Sequence, residues 1–260
     1  MLIRYPGSKD KHLKFLDAHI KDQSLCSRSV VEPFAGTASV TFHLLKLGLV
    51  DNYWINDLDE SISALWKTVK KDSDWLISEV QNYTPKVEDF YLFKEHPGST
   101  LREKAFRKLV IHQISYSGLG PMAGGPLGGR AQSGEYKIDA RWRPVKLVKL
   151  IKETSELLNS APGKITSLGW EKVVSEAEGK GSFLYLDPPY YNQGEVLYTA
   201  GSLDHSKLAK SLRGVKHWVL SYDDTPEIRE LYKWAVVERL DVTSHLHHKT
   251  IGDLVIKPKG

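Results

Sequence analysis

The sequence predicts an α/β protein in which a mostly parallel sheet is interrupted by a helical insertion. Three observations carry that reading. Short apolar runs alternate with helical patterns, as in βαβ units. Two of the runs stop abruptly at an acid and a proline, in "EPFAG" (32–36) and "DPPYY" (187–191). Residues 60–160 break the alternation with helical patterns and a glycine-rich stretch.

Taken in order, the first run is Ser29-Val30-Val31, ending at Glu32. A helical pattern follows in "TASVTFHLLKLGL", with Thr37 as its expected cap. The second run, "NYWIND", ends at Asn56-Asp57, and helical patterns cover 60–117. Then "GLGPMAGGPLGGRAQSG" places seven glycines and two prolines in residues 118–134, which predicts a mobile or tightly turned loop. Helical period resumes in "RPVKLVKLIKETSELLN", from residue 143. Further strands are expected at 165–168, 183–186, 218–221, 235–240 and 254–257. The last two are close enough to pair as an antiparallel hairpin. Residues 1–59 and 161–260 are therefore expected to form the α/β domain, with 60–160 inserted.

At 260 residues the chain can bury a real core. Cys26 is the only cysteine, so no intrachain disulfide forms and a reducing compartment fits. The opening "MLIRYPGSKDKHLKFL" is too polar for a signal peptide, and no apolar stretch approaches transmembrane length. A soluble, cytoplasmic protein is expected. The net charge of +4 hides an asymmetry. Residues 101–160 carry eleven Lys/Arg against five Asp/Glu, a balance of +6, and the remainder sums to −2. A basic segment on a slightly acidic body suits a polyanion-facing module, although a solvated helix face has the same composition.

A glycine directly after a strand and before a helix lets a ligand approach the backbone, with the helix N-terminus behind it. Gly36 holds that position, and Asp57 ends the next strand, where nucleotide-binding α/β folds place an acid for ribose hydroxyls. The loop has no G-x-G-x-x-G and no lysine for phosphates, so an adenosyl group without a phosphate chain is expected over a dinucleotide or ATP. A tight strand–helix turn with an N-cap acid is the plainer alternative. In "DPPYY", the Asp187 carboxylate and Pro188 carbonyl present acceptors at a strand's carboxyl end, and an aromatic face follows. Together they suit a planar ligand bearing an exocyclic amine: two acceptors for its two hydrogens, and a ring to stack upon. Accepting both hydrogens draws the nitrogen lone pair out of conjugation and aims it at an electrophile. That argues for alkyl transfer to an aromatic or amide amine, against the alternative of a proline-rich turn closing a strand.

"DPPYY" resembles the (D/N/S)PPY motif of amino-methyltransferases, and "EPFAG" resembles their S-adenosylmethionine (SAM) loop. The order "YPGSK", "EPFAG", "ND", insertion, "DPPY" is similar to that of the Dam-type (alpha, D12-class) DNA adenine methyltransferases over nearly the whole chain. The resemblance implies a Rossmann-like SAM-dependent methyltransferase sheet with a mostly helical, inserted target-recognition domain. It implies site-specific methyl transfer from SAM to N6 of an adenine flipped out of double-stranded DNA, with S-adenosylhomocysteine as product. Tyr5 and Lys9, with Glu32, Phe34 and Gly36, would border the SAM site, and Asp57 would hold the ribose hydroxyls. Asp187, Pro188, Pro189 and Tyr190 form the implied catalytic set. Asp187 would orient the target amine beside SAM, Pro188 supply a carbonyl, and Tyr190 stack on the base, with Tyr191 or Tyr198 adding to the stack.

Other residues take their expected places around this core. Trp170 either walls the adenine site or packs in the core. Arg102, Arg107, Arg130, Arg141 and Arg143 are expected to contact guanine edges or phosphates. His245, His247, His248 and Lys249 read as a surface loop or a strand near the DNA backbone before a metal site. No metal, membrane or covalent intermediate is expected. The expected partners are double-stranded DNA and, where one exists, a cognate restriction endonuclease, with the enzyme a monomer or weak dimer. The chain departs from the family at Ala38, where many members have a second glycine, and in "ITSLGW", which lacks the common Gly-Asp-Phe. Methylation of RNA adenine or of a glutamine amide, and a catalytically inactive DNA-binding module, are the alternatives.

Overall fold

Apolar runs buried on both faces make the inner strands here, and amphipathic helices cover them. The computed structural model describes residues 2–3, 13, 27–191, 203–243 and 250–259. Its strands are β1 (Ser29–Glu32), β2 (Asn52–Asn56), β3 (Gly163–Thr166), β4 (Phe183–Leu186), β5 (Trp218–Asp223), β6 (Val236–Thr243) and β7 (Thr250–Lys257). Its α-helices are α1 (Ser39–Lys46), α2 (Glu60–Lys71), α3 (Ser73–Asn82), α4 (Val87–Glu95), α5 (Leu101–Ile114), α6 (Pro144–Asn159), α7 (Trp170–Glu178), α8 (His205–Ser211) and α9 (Pro226–Leu231). Among the described residues no helix is long and apolar enough to cross a membrane.

The strands form one sheet in the order β3-β2-β1-β4-β5-β7-β6. β1 pairs in parallel with β2 on one side and β4 on the other, and β4 pairs in parallel with β5. β7 is antiparallel to both β5 and β6. The expected C-terminal hairpin forms, but its returning strand lies inside, between β5 and β6. This is the α/β, Rossmann-like sheet that the sequence led us to expect. β3 is displaced toward the N-terminus of its expected 165–168 span. The reason is local: the Asn56 side chain binds both the amide and the carbonyl of Leu168, which takes that residue out of any ladder.

Contacts divide the chain into two compact units, one of residues 1–8 and 59–165 and the other of residues 9–58 and 166–260. In the sheet unit, alternate residues share a face. Leu184 and Leu186, Trp218, Leu220 and Tyr222, and Leu254 and Ile256 pack against Val173 and Val174 of α7, Leu208 of α8 and Ile228 of α9.

In the helical unit α2 packs on α5 and α3 on α6. Thr100 and Glu103 form a capping box that starts α5. The Ser99 hydroxyl and the amides of Thr100 and Ser99 lower the Glu103 carboxyl to about 2. Buried Lys108 reaches Asp59 at 2.6 Å, Arg102 reaches Asp72 at 2.7 Å, and Lys104 pairs with Glu60. The glycine-rich stretch is tightly turned. Leu127 donates its amide to the Ile114 carbonyl (2.7 Å) and Tyr116 to Gly125 (3.0 Å). The Gln132 carboxamide donates to the carbonyls of Leu127 (2.8 Å) and Gly129 (2.5 Å) and accepts the Ile138 amide (2.6 Å). At Gly128, φ +78°, a Cβ would lie 2.2 Å from the Tyr136 carbonyl oxygen, so only glycine fits.

Candidate active site

At the end of β1, Glu32 is buried and its Oε1 accepts the Thr41 amide at 2.7 Å. A carboxylate is thus set against the amide-rich first turn of α1, where negative charge is favoured. The cap expected at Thr37 is not there. Ala38 precedes α1, at φ 51° and with no side-chain cap, and Glu32 reaches the orphan amide from the strand instead. A left-handed backbone costs an L residue about 1–2 kcal/mol. Gly36, φ +47°, donates its amide to Asp57 Oδ2 at 2.8 Å, and a Cβ there would meet nothing within 4 Å. The loop after β1 is therefore tied to the end of β2 and opens onto free space. Phe34 and Trp170 face each other with ring centroids 6.4 Å apart, tilted by 33°.

Asn56 joins these pieces. Its Nδ2 donates to the carbonyls of Pro33 (2.9 Å) and Leu168 (3.0 Å), and its Oδ1 accepts from the Thr166 hydroxyl (2.7 Å) and the Leu168 amide (2.9 Å). All four positions of the carboxamide are filled, which also fixes its orientation.

β4 lies beside β1 in parallel, with Val30 opposite Phe183 and Val31 opposite Leu184. The loops after these two strands therefore leave the same edge of the sheet. From β1 the order runs to β2 on one side and to β4 on the other, which makes their junction the topological switch point, where open α/β sheets bind ligands. Asp187 is half-buried there, Pro188 is buried, and Pro189 and Tyr190 are half-buried. The Tyr190 hydroxyl donates to Asp253 Oδ2 at 3.2 Å. Burial, with the charges of Asp187 and Asp253, pushes the Tyr190 phenol well above its ordinary value, so it is a donor and not a phenolate. The Tyr191 amide donates to Asp223 Oδ1 at 3.0 Å.

A family profile described as D12 class N6 adenine-specific DNA methyltransferase matches residues 5–246. The chain belongs to this family. Among known proteins, this D12-class chain is 25% identical over 213 residues to "Type II methyltransferase M1.LlaDCHI" from Lactococcus lactis subsp. cremoris, covering 78% of this chain and 66% of the relative. It is 26% identical over 209 residues to "Type II methyltransferase M.MjaIII" from Methanocaldococcus jannaschii, covering 72% and 68%. The match thus spans about two thirds of the length of each relative, just under that for the first.

Within the D12-class chain the remaining expected residues fall into three groups. Tyr5, Lys9, Tyr198 and the stretch from His245, His247 and His248 to Lys249 lie outside the described residues. Arg102 and Arg107 are engaged inside the helical unit. Arg102 pairs with Asp72 and covers the Trp75 ring at 5.0 Å. Arg107 donates to the His96 carbonyl at 2.9 Å and covers the Phe93 ring at 5.5 Å. Arg130 and Arg143 are exposed and Arg141 is half-buried; the Arg130 guanidinium lies 5.7 Å from the Tyr91 ring centroid. Asn56, Asp223 and Asp253 went unassigned in the sequence. A polar residue closing an apolar run is the one signal that marks Asn56 and Asp223, and Asp253 carries none.

Proposed function

We propose that this chain is a SAM-dependent methyltransferase, a cytoplasmic enzyme that transfers a methyl group to N6 of an adenine swung out of double-stranded DNA. One observation carries the reading: the "EPFAG" and "DPPY" loops, far apart in sequence, leave adjacent parallel strands at the switch point of the sheet. The residues present fit SAM. Free space lies before Gly36, Asp57 directly after β2 is an acceptor for ribose hydroxyls, and the Phe34–Trp170 pair offers aromatic walls for the adenine. Glu32 would support that site by holding the start of α1, and Tyr5 and Lys9 would border it. When bound, SAM supplies a methyl group on a positively charged sulfur that is already electrophilic.

The chain's own contribution is then alignment and hydrogen bonding. The Asp187 carboxylate and the Pro188 carbonyl accept the two hydrogens of the amine, which sets the direction of the nitrogen lone pair. Pro189 stiffens the turn, since its ring fixes φ. The Tyr190 ring stacks on the base and offsets part of the unstacking cost, on the order of a few kcal/mol. Asp187 need not be a strong base, because the nitrogen becomes acidic as it is alkylated and then releases its proton to Asp187 Oδ or to water.

DNA contact is assigned to the helical unit, with Arg130, Arg141 and Arg143 ahead of Arg102 and Arg107, whose guanidinium groups already have partners. The type II designation of both relatives supports a restriction–modification setting, with a nuclease of matching specificity. Purified chain supplied with methyl-labelled SAM should label unmethylated duplex DNA, and digestion should recover the label as N6-methyladenine. Asp187→Ala should abolish incorporation without changing the unfolding midpoint. Binding to DNA without incorporation would replace this reading with the inactive module, and label in RNA alone would replace the substrate.

A further inference from the structure

We infer that His205 of α8 is a positioning residue for the 187–191 turn, acting through Tyr222 and Tyr191. The inference rests on the reading of that turn as the site of the acceptor base. A closed circuit of contacts supports it. The Tyr190 ring lies 6.4 Å from the Tyr222 ring. The Tyr222 hydroxyl is hydrogen-bonded to His205 Nδ1. The imidazole lies 5.1 Å from the Tyr191 ring, tilted by 58°, and 5.7 Å from the Tyr222 ring. Tyr191 is joined back to Tyr190 by one peptide bond. Two ties fix the circuit to the sheet: Tyr190 to Asp253 of β7, and the Tyr191 amide to Asp223 of β5.

Tyr222 is fully buried in the core of the sheet unit, so it is the immobile member. Burial keeps its phenol protonated. Where the phenol donates to Nδ1, that nitrogen is unprotonated and His205 is neutral, with its hydrogen on Nε2. Burial of the imidazole favours the same state, against the opposing charges of Asp223 and Asp204. His205 therefore does two things at once. It satisfies a buried hydroxyl, and it gives the Tyr191 ring a fixed surface. Even with the imidazole against it Tyr191 is 39% exposed, and the two prolines ahead of Tyr190 donate no backbone hydrogen bond. Without the imidazole, the Tyr191 ring loses that surface, while its amide keeps the bond to Asp223. The loss should fall on alignment of the base, and so on kcat, and leave SAM affinity in place.

The test separates the two functions of the ring. His205→Asn places an acceptor where Nδ1 was, His205→Phe keeps a ring without the acceptor, and Tyr222→Phe removes the donor from the other side. His205→Ala should lower kcat for methyl transfer about ten- to a hundredfold, with the Kd for SAM within about twofold of wild type. His205→Asn should recover part of that loss. Tyr222→Phe combined with His205→Phe should cost no more than either alone, since both remove one hydrogen bond. Hydrogen exchange in the ligand-free protein gives a second readout. Pro188 and Pro189 have no amide, so a peptide over 187–191 reports chiefly Tyr190 and Tyr191, and exchange there should quicken in His205→Ala and Tyr222→Phe. Unchanged exchange with unchanged kcat in folded variants overturns the role of His205, as does a kcat loss matched by an equal loss of SAM affinity. A wild-type protein that transfers no methyl group overturns the functional reading instead, and the exchange result still decides whether His205 holds the turn.

Discussion

Asn56, the first residue of the "ND" motif, holds the loop after β1 and the loop after β3 with one side chain. Replacing it with leucine keeps the branched outline with more bulk and leaves the Pro33 carbonyl, the Leu168 amide and the Thr166 hydroxyl without that partner. Asn56→Leu should lower stability by about 3 kcal/mol, read as the urea midpoint, and a loss under about 1 kcal/mol would show that water replaces the carboxamide. Gly36 makes the opposite case. Its positive φ costs an alanine about 1 kcal/mol, but nothing lies within 4 Å of the added methyl. Gly36→Ala should therefore fold with a slightly lower Tm and lose SAM affinity by calorimetry, because the methyl occupies the space a ligand would use. Wild-type affinity in that variant would move the cofactor elsewhere. That Gly36 and Asp57 follow strands was legible in the sequence, because a glycine and an acid closing apolar runs leave a local trace. It could not show what Asn56 does, because Leu168 lies 112 positions away.

At the scale of elements, charge was the part of the sequence most easily misread. The excess of basic residues in 101–160 counts Arg102, Lys104 and Lys108 as available, yet their acids are Asp72, Glu60 and Asp59, which precede that window. Neighbours along a chain are a poor guide to neighbours across a helix pair. Arg141→Ala and Arg143→Ala should each weaken DNA binding and reduce the slope of log K against log salt by about one. Arg102→Ala should leave that slope unchanged, and a loss of slope there would return α5 to the DNA surface. The Asp59–Lys108 pair also sets an acid limit on the helical unit. Burial alone would raise the Asp59 carboxyl, but the charge and hydrogen bond of Lys108, with the amides of Ser61 and Ile62, outweigh it and hold the group below its ordinary value. A lowered folded pKa gives stability that is complete above the unfolded value, about 3.9, and lost as pH falls through the folded one. The urea midpoint should hold from neutral pH to about 5 and drop below about 4. Asp59→Asn should start lower and drop less, and parallel curves for the two proteins would remove Asp59 from the effect.

At the scale of the whole molecule, the alternation of apolar runs and helices, and the order of the two strand-ending motifs, were enough to read an α/β sheet. The position of β7 was not legible, because a hairpin in the sequence is the same whether its first or its second strand meets β5. The pairing of β1 with β4 has a cost in time that no motif reveals. Val30 meets Phe183 only after roughly 150 intervening residues have been gathered, and the entropy of closing so long a loop is repaid late in folding. The helices from 60 to 159 pack α2 on α5 and α3 on α6 over shorter separations than that between β1 and β4 and can order first, which shortens the effective tether between the two strands. Refolding should then show a fast phase in α2 to α6 by pulsed exchange labelling and a slower one in β1 and β4. Simultaneous protection of both sets would mean that the insertion does not act as a splint. Until the slow step ends, the acceptors of the 187–191 turn and the glycine loop have no fixed neighbour, so catalytic competence should emerge with the late phase and not with the bulk of the helical signal.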